Sequence, residues 1–95
     1  MAKVKSITKY LLTEHAKEEM ARRQISQGDV ANILAAPEQI QAIRQGRNVY
    51  QSRIKAGKTT KRYLLRVFID VDREPPQVVT VYRTGKITKY WRVDK

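Results

Sequence analysis

The hydrophobic period of this chain changes once, at Pro37. Before it, apolar residues recur every three to four positions; after it they alternate, and a segment patterned for one period does not settle into the other. A chain of 95 residues buries one modest core. The single switch therefore implies one α+β domain over residues 1–95, helices first and an antiparallel sheet after them.

Thr13 followed by Glu14 is able to open the first helix, although apolar Tyr10, Leu11 and Leu12 allow a start further back, toward Ser6 or Thr8. Leu12, Ala16 and Met20 form its apolar stripe, with His15, Glu19 and Arg22 on the adjoining face. Arg22 and Arg23 close it favourably for the helix dipole. Ser26 then opens a capping box with Asp29 in the usual glutamate position, and Val30, Ile33 and Leu34 give the second helix its buried face. Pro37 ends it.

Beyond Pro37, Ile40 to Arg44 and Val49 to Ile54 flank Gln45-Gly46-Arg47-Asn48, which reads as a hairpin turn. A polar basic loop, Lys55 to Lys61, leads into the central strand. There Tyr63, Leu65, Val67, Ile69 and Val71 share one face, and Leu64, Arg66, Phe68 and Asp70 the other. Asp72 to Pro76 turns the chain into a last strand, Val78 to Thr84, in which Val79 and Val81 alternate with Val78, Thr80 and Tyr82. Lys86 to Arg92 fits either a short strand or a helical turn. The expected architecture is two N-terminal helices packed on one face of a four-stranded antiparallel sheet, with positive charge on the other face.

The net charge of +11 is unevenly placed. Residues 1–38 hold six Lys/Arg against five Asp/Glu, and residues 39–95 hold fourteen against four. From Gln39 to Ile69 there is no acid, while Arg44, Arg47, Arg53, Lys55, Lys58, Lys61, Arg62 and Arg66 accumulate. Arg83, Lys86, Lys89 and Arg92 repeat the pattern near the end. Such a surface suits a phosphate backbone, whose binding is driven by counterion release, with Arg47, Arg53, Arg62, Arg83 and Lys89 as nucleic-acid contacts. An anionic membrane surface fits less well, because these residues alternate along strand-like segments and do not line an amphipathic helix. An acidic protein partner is the remaining alternative.

The absence of cysteine excludes disulfides, thiolate nucleophiles and cysteine-held zinc, and agrees with a reducing cytoplasm. No segment approaches the roughly 18 apolar residues of a membrane span, so a cytoplasmic protein without a membrane partner is expected. One histidine cannot assemble a metal site without several converging carboxylates, so neither a metal nor another cofactor is expected. Gly57-Lys58-Thr59 lacks the upstream glycine spacing of a P-loop, and the serines lack a nucleophile-elbow setting.

Metal-free RNA cleavage asks for less, because the substrate's own 2′-hydroxyl attacks the neighbouring phosphate. His15 is able to move a proton near neutral pH, and Arg22, Arg23, Arg66, Arg83 or Lys89 to stabilise the charge that builds on phosphorus. Tyr82 and Tyr90 offer a stacking ring or a phenolic proton. This chemistry favours RNA over DNA.

The spaced residues His15, Ala16, Met20, Arg23, Ile25, Ser26, Asp29 and Val30 form a motif. It resembles that of a small bacterial, in particular cyanobacterial, domain-of-unknown-function family. Agreement continues at Pro37, Gly46-Arg47-x-Val49-Tyr50, Leu65-Arg66-Val67, Val79 to Thr84, and Lys86-Ile87-x-Lys89-Tyr90-Trp91. That family is similar to RelE- and BrnT-type toxins. The resemblance implies a barnase/colicin/RelE-like fold, an antitoxin protein as a partner, and a metal-independent ribonuclease site at His15, Arg23, Arg66, Thr80 and Tyr82. Two positions depart from the family pattern: Glu19 stands where arginine is common, and Gln24 where glycine is. Glu19 is expected to pair with His15, and Gln24 to lack the ease with which glycine ends a helix left-handed.

Overall fold

The computed structural model describes residues 6–55 and 62–91. Gly57-Lys58-Thr59, Lys61 and Arg92 lie outside them. Thr13 takes an extended backbone, and its hydroxyl accepts the Ala16 N–H at 3.1 Å, which starts helix α1 (Glu14–Arg23) at that point. With the helix stopped there, Leu11 and Leu12 stay extended and form a two-residue strand, β1. The helix ends at Gln24, which adopts the left-handed conformation (φ 56°) despite carrying a side chain. That conformation costs a non-glycine residue about 1 kcal/mol. Ser26 then caps helix α2 (Gln27–Ala35), accepting the Asp29 N–H at 3.0 Å.

Four longer strands follow: β2 (Gln39–Arg44), β3 (Arg47–Lys55), β4 (Arg62–Asp70) and β5 (Gln77–Thr84). The sheet order is β1-β5-β4-β3-β2, antiparallel except for β1, which runs parallel to β5. The expected four-stranded antiparallel sheet is thus a five-stranded mixed one. The added strand was hidden because two apolar residues before a cap carry no period of their own. Gly46 supplies the tight turn from β2 to β3 with φ +83°, a conformation that strains any side chain, and a Cβ there would also push the Asp72 carboxylate aside. Since Gln45 and Gly46 suffice for the turn, β3 begins at Arg47, two residues earlier than expected.

The helices cover one face of the sheet. Ala16, Met20, Ile25, Val30, Ile33 and Leu34 pack on Tyr50, Leu65, Val67, Ile69, Val78 and Val81. Val78 and Val81 lie three apart yet share this core, contrary to strict alternation. The pairing shifts between Phe68↔Thr80 and Ile69↔Val78, so Val79 is the extra residue of a bulge and parity changes across it. Val71 leaves the expected strand and is exposed. The undecided C-terminal segment is a helical turn, α3 (Ile87–Tyr90). No described helix is long and apolar enough to cross a membrane.

Candidate nucleic-acid interface

On the face away from α1 and α2, strand register aligns four residues from four strands. Gln39 stands opposite Gln51, Gln51 opposite Arg66, and Arg66 opposite Tyr82. Their side chains join along the row. Gln51 donates from Nε2 to Gln39 Oε1 at 2.8 Å, Arg66 from Nε to Gln51 Oε1 at 2.9 Å, and Arg66 from Nη1 to the Tyr82 hydroxyl at 2.7 Å. Gln51 is fully buried and Arg66 is only 7% exposed. Among the described residues Arg66 has no carboxylate partner, and its Nη2 has no acceptor.

Aromatic rings compensate part of that charge. The Arg66 guanidinium lies 4.6 Å from the Tyr90 ring centre, 5.2 Å from Phe68 and 5.7 Å from Tyr82. Phe68 and Tyr82 stack at 5.9 Å, and Tyr90 meets Tyr82 edge-on at 6.3 Å. Tyr90 is set there by α3, whose last carbonyl accepts from Gln41 Nε2 and Gln51 Nε2, each at 3.3 Å. Because the Tyr82 oxygen accepts from Arg66, its own hydrogen is left to point elsewhere. A planar guanidinium with a free amino group, beside a phenolic donor, matches an oxyanion, phosphate above all.

The other residues expected at the site divide by their partners. Arg23 reaches the edge of the row, with its guanidinium 6.0 Å from the Tyr82 ring centre. Glu19 does not pair with His15; it accepts from Arg23 Nε at 2.9 Å and also from Arg22. One turn of helix sets those arginines beside Glu19, and the Arg23 hydrogen bond holds its carboxyl below the ordinary value. His15 is exposed on α1, two turns before Arg23 or about 12 Å along the axis, and its imidazole makes no hydrogen bond to another described residue. Thr80 pairs with Phe68, two residues along the strand from Arg66.

Arg47 donates to both oxygens of Asp70, at 2.6 and 3.1 Å, which holds the aspartate low and the arginine high. Arg53 is held by both oxygens of Glu38 at 3.1 Å, which lowers the Glu38 carboxyl. Arg83 turns toward the helical layer and donates to the Arg23 carbonyl at 3.1 Å, stacking over Tyr63. Arg62 and Lys89 remain exposed, Lys89 5.4 Å from the Tyr90 ring centre. Among the described residues no group of three or more metal-ligating side chains occurs.

The sequence reading missed Gln39, Gln51, Phe68 and Trp91. A glutamine between Tyr50 and Ser52 in an apolar strand was the available signal, but its meaning depends on facing Arg66, which only register reveals. A family model described as a domain of unknown function (DUF4258) matches residues 12–83. No curated protein and no solved structure matches the chain.

Proposed function

The chain belongs to the DUF4258 family of domains of unknown function, and we propose that this member contacts RNA through the open face of its sheet, with Arg66 as the phosphate-binding centre. The observation that carries this reading is Arg66, a residue only 7% exposed, without a carboxylate partner among the described residues and with an Nη2 that has no acceptor there and still reaches solvent. Burying a charge unpaired costs free energy that ring contacts offset only in part. An incoming phosphate would supply the missing anion without reorganising the row. The resemblance to RelE- and BrnT-type toxins supports RNA as the polymer. The test is anisotropy of a labelled unstructured RNA across a salt series. Affinity should fall steeply with salt and be lost in Arg66→Met; salt-insensitive binding, or an unimpaired Arg66→Met, would sink the reading.

A second reading, metal-independent cleavage, is favoured by the Tyr82 hydroxyl, which accepts from Arg66 at 2.7 Å and so keeps its own hydrogen free of that contact. In that reaction the 2′-oxygen loses its proton to a base and bonds to phosphorus. The 5′-oxygen leaves with a proton, giving a 2′,3′-cyclic phosphate and a 5′-hydroxyl. Tyr82 is the proton donor in this reading; α1 sets His15 apart from the row, so the 2′-proton passes to water. RNA incubated with the protein and a chelator should be cut, with Tyr82→Phe slowing it at least about tenfold and His15→Ala leaving it unchanged. Uncut RNA, or cutting indifferent to Tyr82→Phe, leaves only the binding role.

A further inference from the structure

We propose that Trp91, lying on the Arg53 guanidinium, is a stacking platform for one unpaired nucleobase of the RNA whose phosphate Arg66 receives; this rests on the Arg66 reading. Arg53 follows Gln51 by two residues on the same face of β3. It therefore stands about 7 Å along the strand from the row that contains Arg66. Its charge is already answered: both Glu38 oxygens hold the guanidinium, and Glu38 Oε1 also accepts the Arg53 backbone N–H at 2.8 Å. A cation fixed in this way makes a poor phosphate ligand and a good support. The Trp91 ring centre lies 4.2 Å from its Cζ, so the guanidinium sits over the indole ring.

The backbone that carries the platform is fixed as well. Trp91 donates its backbone N–H to the Ile87 carbonyl at 2.8 Å. Its neighbour Tyr90 covers Arg66 at 4.6 Å, while the Tyr90 carbonyl accepts from Gln41 and Gln51. One helical turn thus presents an aromatic side chain to each of two places, the anion site and a spot one step along the strand. Trp91 is only half-buried, and a rigid indole is the side chain most suited to stacking on a base. A single strand has unstacked bases to offer, whereas a duplex has already paired and stacked its own. The platform takes any base, since every base presents a π-face.

The chain has one tryptophan, so its emission reports this contact alone. A short unstructured RNA should quench that emission as anisotropy shows it binding, while an abasic oligonucleotide of equal length binds without quenching. Trp91→Ala should weaken RNA binding about tenfold and leave affinity for the abasic oligomer unchanged; Trp91→Phe should restore most of the loss. RNA binding with unchanged emission and an unimpaired Trp91→Ala overturns the platform while leaving Arg66 as the phosphate centre. Equal weakening of both oligomers by Trp91→Ala also overturns it, by assigning Trp91 a purely structural role. If wild-type protein binds neither oligomer, the Arg66 reading falls and the platform with it.

Discussion

The two faces of the sheet are built from alternate residues of the same strands and solve different problems. On the helical face, Leu65, Val67 and Ile69 meet Val30, Ile33 and Leu34, all buried and all apolar. On the other, Gln51, Arg66 and Tyr82 fill the same kind of space with hydrogen bonds and rings. The first face is complete within the chain. The second holds a buried cation, Arg66, that pairs with no acid among the described residues. A fold maintained for stability alone has no need of such a group, because apolar residues of similar volume are often at least as stable there.

The largest effect belongs to the completed face. Leu65→Ala should lower unfolding stability by about 2–5 kcal/mol, read by urea denaturation, while molecules that remain folded bind RNA as before. Gln51→Leu should cost about 1–3 kcal/mol, because it leaves Arg66 Nε and the Tyr90 carbonyl short of partners, and it should weaken RNA binding in parallel. Arg66→Met leaves Gln51 Oε1 without its donor but also removes the unpaired charge, so stability should change by less than about 1 kcal/mol, with RNA binding lost. A marked destabilisation there would erase the distinction between the faces.

Acid should act at the periphery. Glu19, Glu38 and Asp70 are each held low by a hydrogen-bonded arginine. Their contribution is therefore full above the ordinary carboxyl values, near 4, and is lost as pH falls through the lower folded-state values. Thermal stability should be level from about pH 7 to 5 and decline below about 4. Arg66→Met should keep the same slope, since its row contains no described carboxylate, whereas Asp70→Asn should flatten it. The smallest change is Gln24→Gly, which relieves the left-handed helix end and should raise stability by about 0.5 kcal/mol after the added freedom of the unfolded chain. RNA binding should not move.

Much of the fold was legible because its causes are local. Thr13 and Ser26 cap the helices they were expected to cap, and Tyr63, Leu65, Val67 and Ile69 face one way as their alternation required. What stayed hidden depends on residues distant in sequence. Leu11 and Leu12 become a strand only because β5 is beside them, and Val79 becomes a bulge only through its pairing with β4. At the site, Arg66 and Tyr82 were visible as residue types. Their connection through Gln51, and the neutralisation of Arg47 and Arg53 by Asp70 and Glu38, required register and turns to be known. Charge counted along a chain overstates the free cations on its surface, and Glu19 shows how a nearby acid alters that count.

The short parallel strand β1 has a consequence for self-association. It pairs with β5 only at Gln77 and Val78, and among the described residues no strand continues that margin along Val79 to Thr84. β2 ends the sheet on the opposite side. Two copies joined β2 to β2 would form a two-fold contact that uses up both of those edges at once. A pair joined in that way has no second β2 edge left to extend it.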